Sequence, residues 1–155
     1  MSLSQHLAKH LRDVHFGGNW TSVNMKDTLA DVSWQQATTK VQSLNTIATL
    51  VNHINYYVAA VSKVLEGEAL NAKDAFSFSH LPIDGPEDWQ KLVDKLFVGA
   101  EHFAKLIAQI PEARLWQDFT DAKYGSYYRN IQGIIEHTHY HLGQIVIIKK
   151  MLDTQ

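Results

Sequence analysis

The sequence predicts an all-α protein, a four-helix bundle with a long crossover between its second and third helices. Apolar residues recur at helical spacing in four stretches, and no segment has the strict alternation or the β-branched clustering typical of strands. The connection between the second and third stretches is long enough for those two helices to run parallel. A length of 155 residues without an internal repeat predicts a single domain over residues 1–155.

The first helix is predicted over residues 4–16. Its apolar stripe comprises Leu3, Leu7, Leu11 and Val14. Gly17-Gly18 stops it, because glycine readily takes the left-handed conformation that ends a helix. Residues 26–31, in the loop that follows, form at most a short helical turn, since so short a segment cannot support an independent helix.

The second helix is predicted as one continuous element over residues 33–66. Ser33 and Gln36 have the spacing of a capping box, in which each side chain satisfies a free backbone donor of the other residue. Gly67 is suited to end the helix in the left-handed conformation. Such a helix would be a rod of about 50 Å.

The remaining boundaries follow from prolines and a serine cap. The segments are a connection over residues 68–85, a third helix over 86–109, an ambiguous stretch over 112–124 and a fourth helix over 126–152. Pro86 suits the first position of a helix, and Pro111 forces the third helix to end before it. Ser126 is a good N-cap for the fourth helix.

The composition excludes several classes of protein. With no cysteine there is no disulfide, thiolate nucleophile or cysteine-ligated zinc, so a metal would have to bind His, Asp or Glu. The 14 basic and 16 acidic residues are scattered, which argues against nucleic acid and anionic membranes as partners. No apolar run reaches the ~20 residues of a membrane span, and the first residues lack the apolar core of a signal peptide. We expect a cytoplasmic protein; a homodimer is compatible with its amphipathic helices, although no exposed stripe compels one.

Three of the nine histidines face the predicted core. His137 and His141 lie about 40° apart around the fourth helix, so both imidazoles can address one point. They belong to the apolar stripe of that helix, as His53 belongs to the apolar stripe of the second helix. Burying imidazoles among apolar side chains is costly unless each gains a hydrogen bond or a metal. The three residues predict either a site for Zn²⁺, Ni²⁺, Fe²⁺ or Mn²⁺ with open positions for substrate, or a hydrogen-bonded core cluster.

The other histidines have no predicted role at this site. His6, His10, His15, His102 and His139 are expected on solvated faces, and His80 lies in the long connection, with little prospect of reaching the site mouth. The fourth helix lacks the His-Glu-x-x-His motif of zinc proteases, and its one Glu-x-x-His element, at Glu136 and His139, faces away from the core, against a di-iron centre. Haem has no support beyond the inward histidine pair.

Several side chains are predicted near the three histidines without an assigned role. They are the amides Asn130 and Gln144, the inward phenols Tyr57 and Tyr127, and Gly133. The amides can hydrogen-bond a histidine or substrate or lie between helices, and the phenols can donate to a developing charge or pack in the core. The glycine implies close backbone approach or room for a ligand. Trp20 and Trp116 are predicted to pack.

Three stretches of the sequence carry a resemblance to a known family. They are Asn19-Trp20-Thr21 with Asn24, the stretch Ile47-Ala48-Thr49-Leu50-Val51-Asn52-His53-Ile54, and residues 130–145 with Glu136-His137-Thr138-His139-Tyr140-His141 at their centre. The chain resembles the DinB-like superfamily of YfiT-type metalloenzymes over nearly its whole length. The resemblance implies a four-helix bundle with a long crossover and a divalent metal held by three histidines. The matching positions are His53, His137 and His141.

The resemblance also implies a class of reaction. Characterised relatives, such as bacillithiol S-transferases and mycothiol-dependent maleylpyruvate isomerase, use the metal to activate a low-molecular-weight thiol, because a divalent cation favours thiolate over thiol. The chain would then be a thiol transferase acting on a small electrophile. A metal-dependent hydrolase and a metal-binding or interaction module without turnover remain as alternatives, and the sequence identifies neither the metal nor a catalytic side chain.

Overall fold

The computed structural model describes residues 1–154 and is all-helical, as predicted. The elements are α1 (Leu3–Phe16), α2 (Met25–Leu29), α3 (Trp34–Thr38), α4 (Ile47–Leu65), α5 (Asp74–Ser77), α6 (Pro86–Ala108), α7 (Glu112–Leu115), a 3₁₀ turn (Ala122–Tyr124) and α8 (Tyr127–Asp153). Within residues 1–154 no β-strand forms, although Asp118 and Ser126 make an isolated antiparallel bridge. None of the helices in that range is both long and apolar enough to cross a bilayer.

The four long helices, α1, α4, α6 and α8, share one core. Helix α4 lies against α6 and α8, and α1 lies against the same two helices. Leu11, Ile54, Phe103 and Ile131, one from each helix, are fully buried at the centre. Burying a side chain of this size contributes about 1.5–3 kcal/mol to folding. This packing places α4 beside α8, so that residues on their inward faces meet.

The ends of three long helices are close to the predicted ones. Helix α1 begins one residue earlier than predicted because Ser2 forms a capping box with Gln5. Gly17, with φ of 114°, ends α1 in a conformation that favours glycine. Helix α6 begins at Pro86, and Ser126 caps α8 by accepting a hydrogen bond from the backbone N–H of Arg129. Local capping chemistry therefore determines these boundaries.

The prediction of one continuous second helix over residues 33–66 is wrong. Ser33 does form the capping box with Gln36, but the helix that it starts, α3, ends at Thr38. The Thr38 hydroxyl donates to the carbonyl of Trp34 at 2.9 Å. Side chains that bond to nearby carbonyls in this way compete with the helical backbone.

A second helix start follows eight residues later. The backbone of Gln42 has φ of 49°, which is incompatible with a right-handed helix. Thr46 then caps α4 by accepting from the backbone N–H of Thr49. The predicted end is confirmed, because Gly67 has φ of 92° directly after the last residues of α4. The sequence signal missed here was a second N-cap inside an otherwise periodic apolar stretch.

The connection between α4 and α6 is held against α4 by side chains of that helix. The Asn52 amide donates to the carbonyls of Ser77 and Ser79, at 2.9 and 3.1 Å. The Tyr56 hydroxyl accepts from the backbone N–H of Lys73 at 2.8 Å. These bonds hold α5, a short helix within the connection, against α4 near His53.

Two predictions about side-chain surroundings are wrong. His15 is fully buried rather than solvated, and its Nδ1–H donates to the carbonyl of Leu11 at 2.8 Å. It lies four residues after Leu11 and therefore on the same apolar stripe, so its burial follows from the periodicity of α1. Trp20 and Trp116 are not packed in the core, because Trp20 is 100% exposed and Trp116 is 60% exposed.

Candidate metal centre

His53, His137 and His141, the inner trio, come together between α4 and α8. The Nε2 atoms of His53 and His137 are 2.9 Å apart, and those of His141 and His137 are 3.0 Å apart. One ligand nitrogen from each residue lies within 4.8 Å of the other two. These are the three histidines that the sequence analysis selected, and the cluster could hold a metal ion.

The inner trio is enclosed by aromatic rings. His53 and His141 are buried and His137 is half-buried. The ring of Tyr57 is nearly perpendicular to the rings of His53 and His137, and the ring of Phe78 stacks on His53 with 4.1 Å between centroids. Phe78 was not predicted at the site, because it belongs to the long connection, whose path cannot be inferred from periodicity.

The orientation of His53 is fixed by a hydrogen bond to α5. Its Nδ1 lies 2.7 Å from the hydroxyl oxygen of Ser77, and that hydroxyl donates to the carbonyl of Asp74 at 2.6 Å. Since the hydroxyl proton is already used, Ser77 accepts from the Nδ1–H of His53. The Nε2 of His53 therefore carries a lone pair directed at the other histidines, as a metal ligand requires.

His141 is oriented in the same manner by its own helix. Its Nδ1–H donates to the side-chain oxygen of Gln144 at 2.6 Å, which leaves the Nε2 lone pair free. Of the roles that the sequence left open for Gln144, the structure has the hydrogen bond to a histidine of the inner trio. Ser77, the equivalent partner of His53, was missed because it is 24 residues away along the chain and lies in a region of no helical periodicity.

Other predicted supporting residues have different partners. The amide of Asn130 donates to the carbonyls of Tyr124 and Ser126, at 2.9 Å each, and not to a histidine. The hydroxyl of Tyr127 accepts from Arg114 at 3.1 Å and lies away from the inner trio. These two residues join the 3₁₀ turn and α7 to the start of α8.

The donor set fits a divalent cation. His53 and His141 both direct an Nε2 lone pair at the Nε2 of His137, and one ring nitrogen can place a proton in only one of those two contacts. Burial lowers the pKa of all three imidazoles, and repulsion between the rings adds to this at His137, whose pKa falls to about 4. The rings are therefore neutral at pH 7, so no further proton joins them, and a cation among the three lone pairs satisfies all of them.

The inner trio lies on the wall of a cavity of about 870 Å³, here called the site cavity. Its apolar lining includes Val61, Leu70, Phe119 and Ile134. Its charged lining residues are Asp74, Lys123 and Arg129, and Gly133 also lies on its wall. The hydroxyl of Tyr57 donates to Asp74 at 2.6 Å. Burial, and then this hydrogen bond, raise the pKa of Tyr57 to about 12, so it remains protonated. The volume is that of a small-molecule pocket.

The remaining histidines do not form a comparable cluster. His6, His10 and His139, the outer trio, line a separate cavity of about 850 Å³ on the side of α8 that faces α1. His6 and His10 are exposed and His139 is half-buried. His80 lies 3.3 Å from the hydroxyl of Thr49 and does not reach the site cavity. Over residues 1–154, the inner trio is the one group of three such ligands that converges.

Comparison with known proteins adds no further information about this site. No protein-family model, curated protein or solved structure matches the chain. Function is therefore inferred from the chemistry of the inner trio and of the site cavity.

Proposed function

We propose that this chain is a metal-dependent enzyme of the DinB-like superfamily that transfers a small-molecule thiol to an electrophile. In this proposal α1, α4, α6 and α8 form the four-helix bundle of that superfamily, with residues 66–85 as its long crossover, and the protein acts in the cytoplasm. The observation that supports it most is the convergence of three Nε2 atoms on one wall of the site cavity. A structural cluster would not need an adjoining cavity of small-molecule size.

His53, His137 and His141 are the residues that would hold the ion. A divalent cation bound there stabilises a thiolate relative to a thiol, so that the sulfur becomes nucleophilic near neutral pH. Ser77 and Gln144 keep two of the rings in the tautomer that presents Nε2. Phe78 and the apolar lining give the reacting sulfur a partly apolar environment beside the metal ligands.

The sulfur must come from a substrate, because the chain has no cysteine. In the transfer, the S–H bond of the thiol breaks and its proton passes to solvent. A new S–C bond forms to the electrophilic carbon, and the bond from that carbon to its leaving group breaks, with the electron pair departing on the leaving group. No oxidant or reductant is needed.

Metal content tests the site directly. Protein purified without a histidine tag is analysed for Zn, Ni, Fe and Mn, and we expect close to one ion per chain. The double variant His137→Ala, His141→Ala should lose it. The matched control is His6→Ala, His10→Ala, which removes a pair of the same spacing from α1 and should keep the ion. Unchanged metal in the first variant would contradict the proposed site.

Turnover requires a second experiment. Metal-loaded protein is incubated with a panel of small thiols and 1-chloro-2,4-dinitrobenzene, and conjugates are quantified by mass spectrometry. We expect conjugation that is lost in His53→Ala. A parallel assay supplies an ester and no thiol, and hydrolysis there would indicate a hydrolase instead. A metal-loaded protein that catalyses neither reaction would indicate a metal-binding module.

A further inference from the structure

Two cationic side chains lie on the wall of the site cavity, on different elements. Lys123 belongs to the 3₁₀ turn and Arg129 to the first turn of α8. The amide of Asn130 holds these elements together through its bonds to the carbonyls of Tyr124 and Ser126. The two cations are therefore presented to the cavity by a braced segment of backbone.

Arg129 occupies space that a glycine leaves open. A Cβ built on Gly133 would lie 3.1 Å from a terminal guanidinium nitrogen of Arg129, so the guanidinium covers the glycine. Glycine within a helix costs about 1 kcal/mol relative to alanine. At this position, its effect is to let the guanidinium lie along α8, one turn before His137, at the cavity wall.

Each cation of this wall has one carboxylate nearby, at long range and outside the cavity lining. Arg129 is 3.5 Å from a carboxylate oxygen of Glu136, and Lys123 is 3.9 Å from one of Asp121, with all four side chains largely exposed. Exposed pairs of this length contribute at most about 1 kcal/mol.

The one carboxylate among the described residues of the cavity lining is Asp74, which accepts from Tyr57. The lining therefore has one more cationic than anionic side chain, before the charge of any metal is counted.

We propose that the substrate carries an anionic group, a carboxylate or a phosphate, that binds between Lys123 and Arg129 while its reacting group lies at the inner trio. This inference rests on the proposed function and specifies its substrate class. A guanidinium presents paired donors that match the oxygens of both anions, and an ammonium adds a point charge beside it. The apolar middle of such a substrate would pack on Phe119 and Ile134, which line the same cavity.

The test compares ligands that differ in one terminal group. The probes are 6-mercaptohexanoate, 6-mercaptohexyl phosphate and 6-mercaptohexan-1-ol, titrated calorimetrically into metal-loaded protein at low salt. We expect at least one anionic probe to bind about tenfold more tightly than the alcohol, since a charge-assisted contact contributes about 1.4 kcal/mol or more. Whichever anion is preferred identifies the terminal group.

Variants assign the preference to this wall. In Lys123→Gln, Arg129→Gln the anionic probes should bind no more tightly than the alcohol, whose own affinity should not change. Gly133→Ala removes no charge and should reduce the preference only slightly, because the new methyl group requires the guanidinium of Arg129 to shift by a few tenths of an ångström. The matched control Lys95→Gln, Lys105→Gln removes two cations of α6 that do not line the site cavity and should leave the preference intact.

The failure of this inference can be distinguished from failure of the proposed function. Metal content is measured first on each sample. A loaded protein that binds acid, phosphate and alcohol equally, or whose preference survives Lys123→Gln, Arg129→Gln, overturns the anion site and leaves the metal site standing. Hexanoate and hexan-1-ol are also titrated into metal-free protein, with NMR of the backbone amides of residues 123–133. Chemical-shift changes that hexanoate causes and hexan-1-ol does not, and that Arg129→Gln abolishes, support the anion site even if no thiol binds. Changes of equal size with both ligands overturn it.

Discussion

The inner and outer trios flank the same helix and differ in what surrounds them. Each combines a histidine pair of i, i+4 spacing with a third histidine from another helix, and each borders a cavity, of about 870 and 850 Å³ respectively. Only the inner trio brings its ligand nitrogens together among the described residues. Two of its rings are held from behind by Ser77 and Gln144. His-x-x-x-His spacing thus places two rings on one face, but burial and outer hydrogen bonds determine whether they converge.

Zinc binding should separate the two trios most strongly. At Zn²⁺ concentrations a hundredfold above Kd, we expect the wild-type protein to gain about 2.7 kcal/mol in free energy of unfolding. The double variant His137→Ala, His141→Ala should gain nothing, while His6→Ala, His10→Ala should gain as much as wild type. Thermal and chemical denaturation with and without Zn²⁺ measure this difference. A loss of stabilisation in the second variant would show that both trios take part.

A pH titration sharpens the comparison with a third environment, that of His15. Its full burial lowers its pKa to about 4, despite the opposing hydrogen bond to Leu11. The unfolded chain takes up the proton near pH 6.5 and the folded chain does not. The contribution of His15 to stability is therefore complete above pH 6.5 and falls as the pH decreases towards 4, by about 3 kcal/mol in total.

The measurement compares metal-free wild type with His15→Gln, which does not titrate. We expect the unfolding free energy of the variant to depend less steeply on pH between 6.5 and 4. The control is His102→Gln at an exposed histidine, which contacts Glu66 at 2.8 Å. Parallel pH profiles for wild type and His15→Gln would contradict the assignment.

The hydrogen bonds that the inner trio makes to Ser77 and Gln144 should strengthen Zn²⁺ binding without being essential for it. Removing such partners typically costs 10- to 100-fold in metal affinity, so Ser77→Ala and Gln144→Ala should each weaken Zn²⁺ binding by about that factor. Competition with a chromophoric chelator measures the Kd. Ser62→Ala is the matched control, because its buried hydroxyl bonds only to the carbonyl of Val58 on α4. An equal loss in Ser62→Ala would point to general destabilisation.

The smallest effect on stability is expected at the cavity that the outer trio lines. Trp20 lines it but is 100% exposed, so Trp20→Ala should change the free energy of unfolding by less than about 0.5 kcal/mol. The contrasting variant is Trp89→Ala. Trp89 is buried and its ring N–H donates to the carbonyl of Val32 at 2.8 Å, so its loss should cost about 3–5 kcal/mol. A large loss in Trp20→Ala would reveal packing absent from the described contacts.

The fold was predictable where a local chemical signal marks a boundary. Gly17, Pro86 and Ser126 act within their own turn of backbone, and the structure has helix ends at or beside them. The single second helix was wrong because apolar periodicity continues through residues 39–46 while the threonines there bond to the backbone. Apolar periodicity indicates which face of a segment is buried. It does not reveal an interruption of the helix when the residues on both sides keep the same face towards the core.

The site was predictable to the extent that helix faces determine it. His53, His137 and His141 could be selected because their stripes are regular, and Gln144 because it is one turn from His141. Ser77 and Phe78 could not be selected, since the path of the connection depends on tertiary contacts such as those of Asn52. Trp20 was misassigned because a side chain in a loop has no periodic signal. His15 was misassigned although it lies four residues after Leu11, on the apolar stripe of α1.

The hydrogen bond from His53 to Ser77 joins a helix of the core to a surface connection. Any ligand that fixes the imidazole also restrains α5, and the free energy of local opening of residues 66–85 then includes part of the free energy of binding. Binding at the inner trio should consequently slow proteolysis of this connection, so the rate of cleavage reports how much of the site is occupied. The linkage is reciprocal: a protein that bound the connection and restrained it would raise the affinity of the three histidines for their ligand without contacting them.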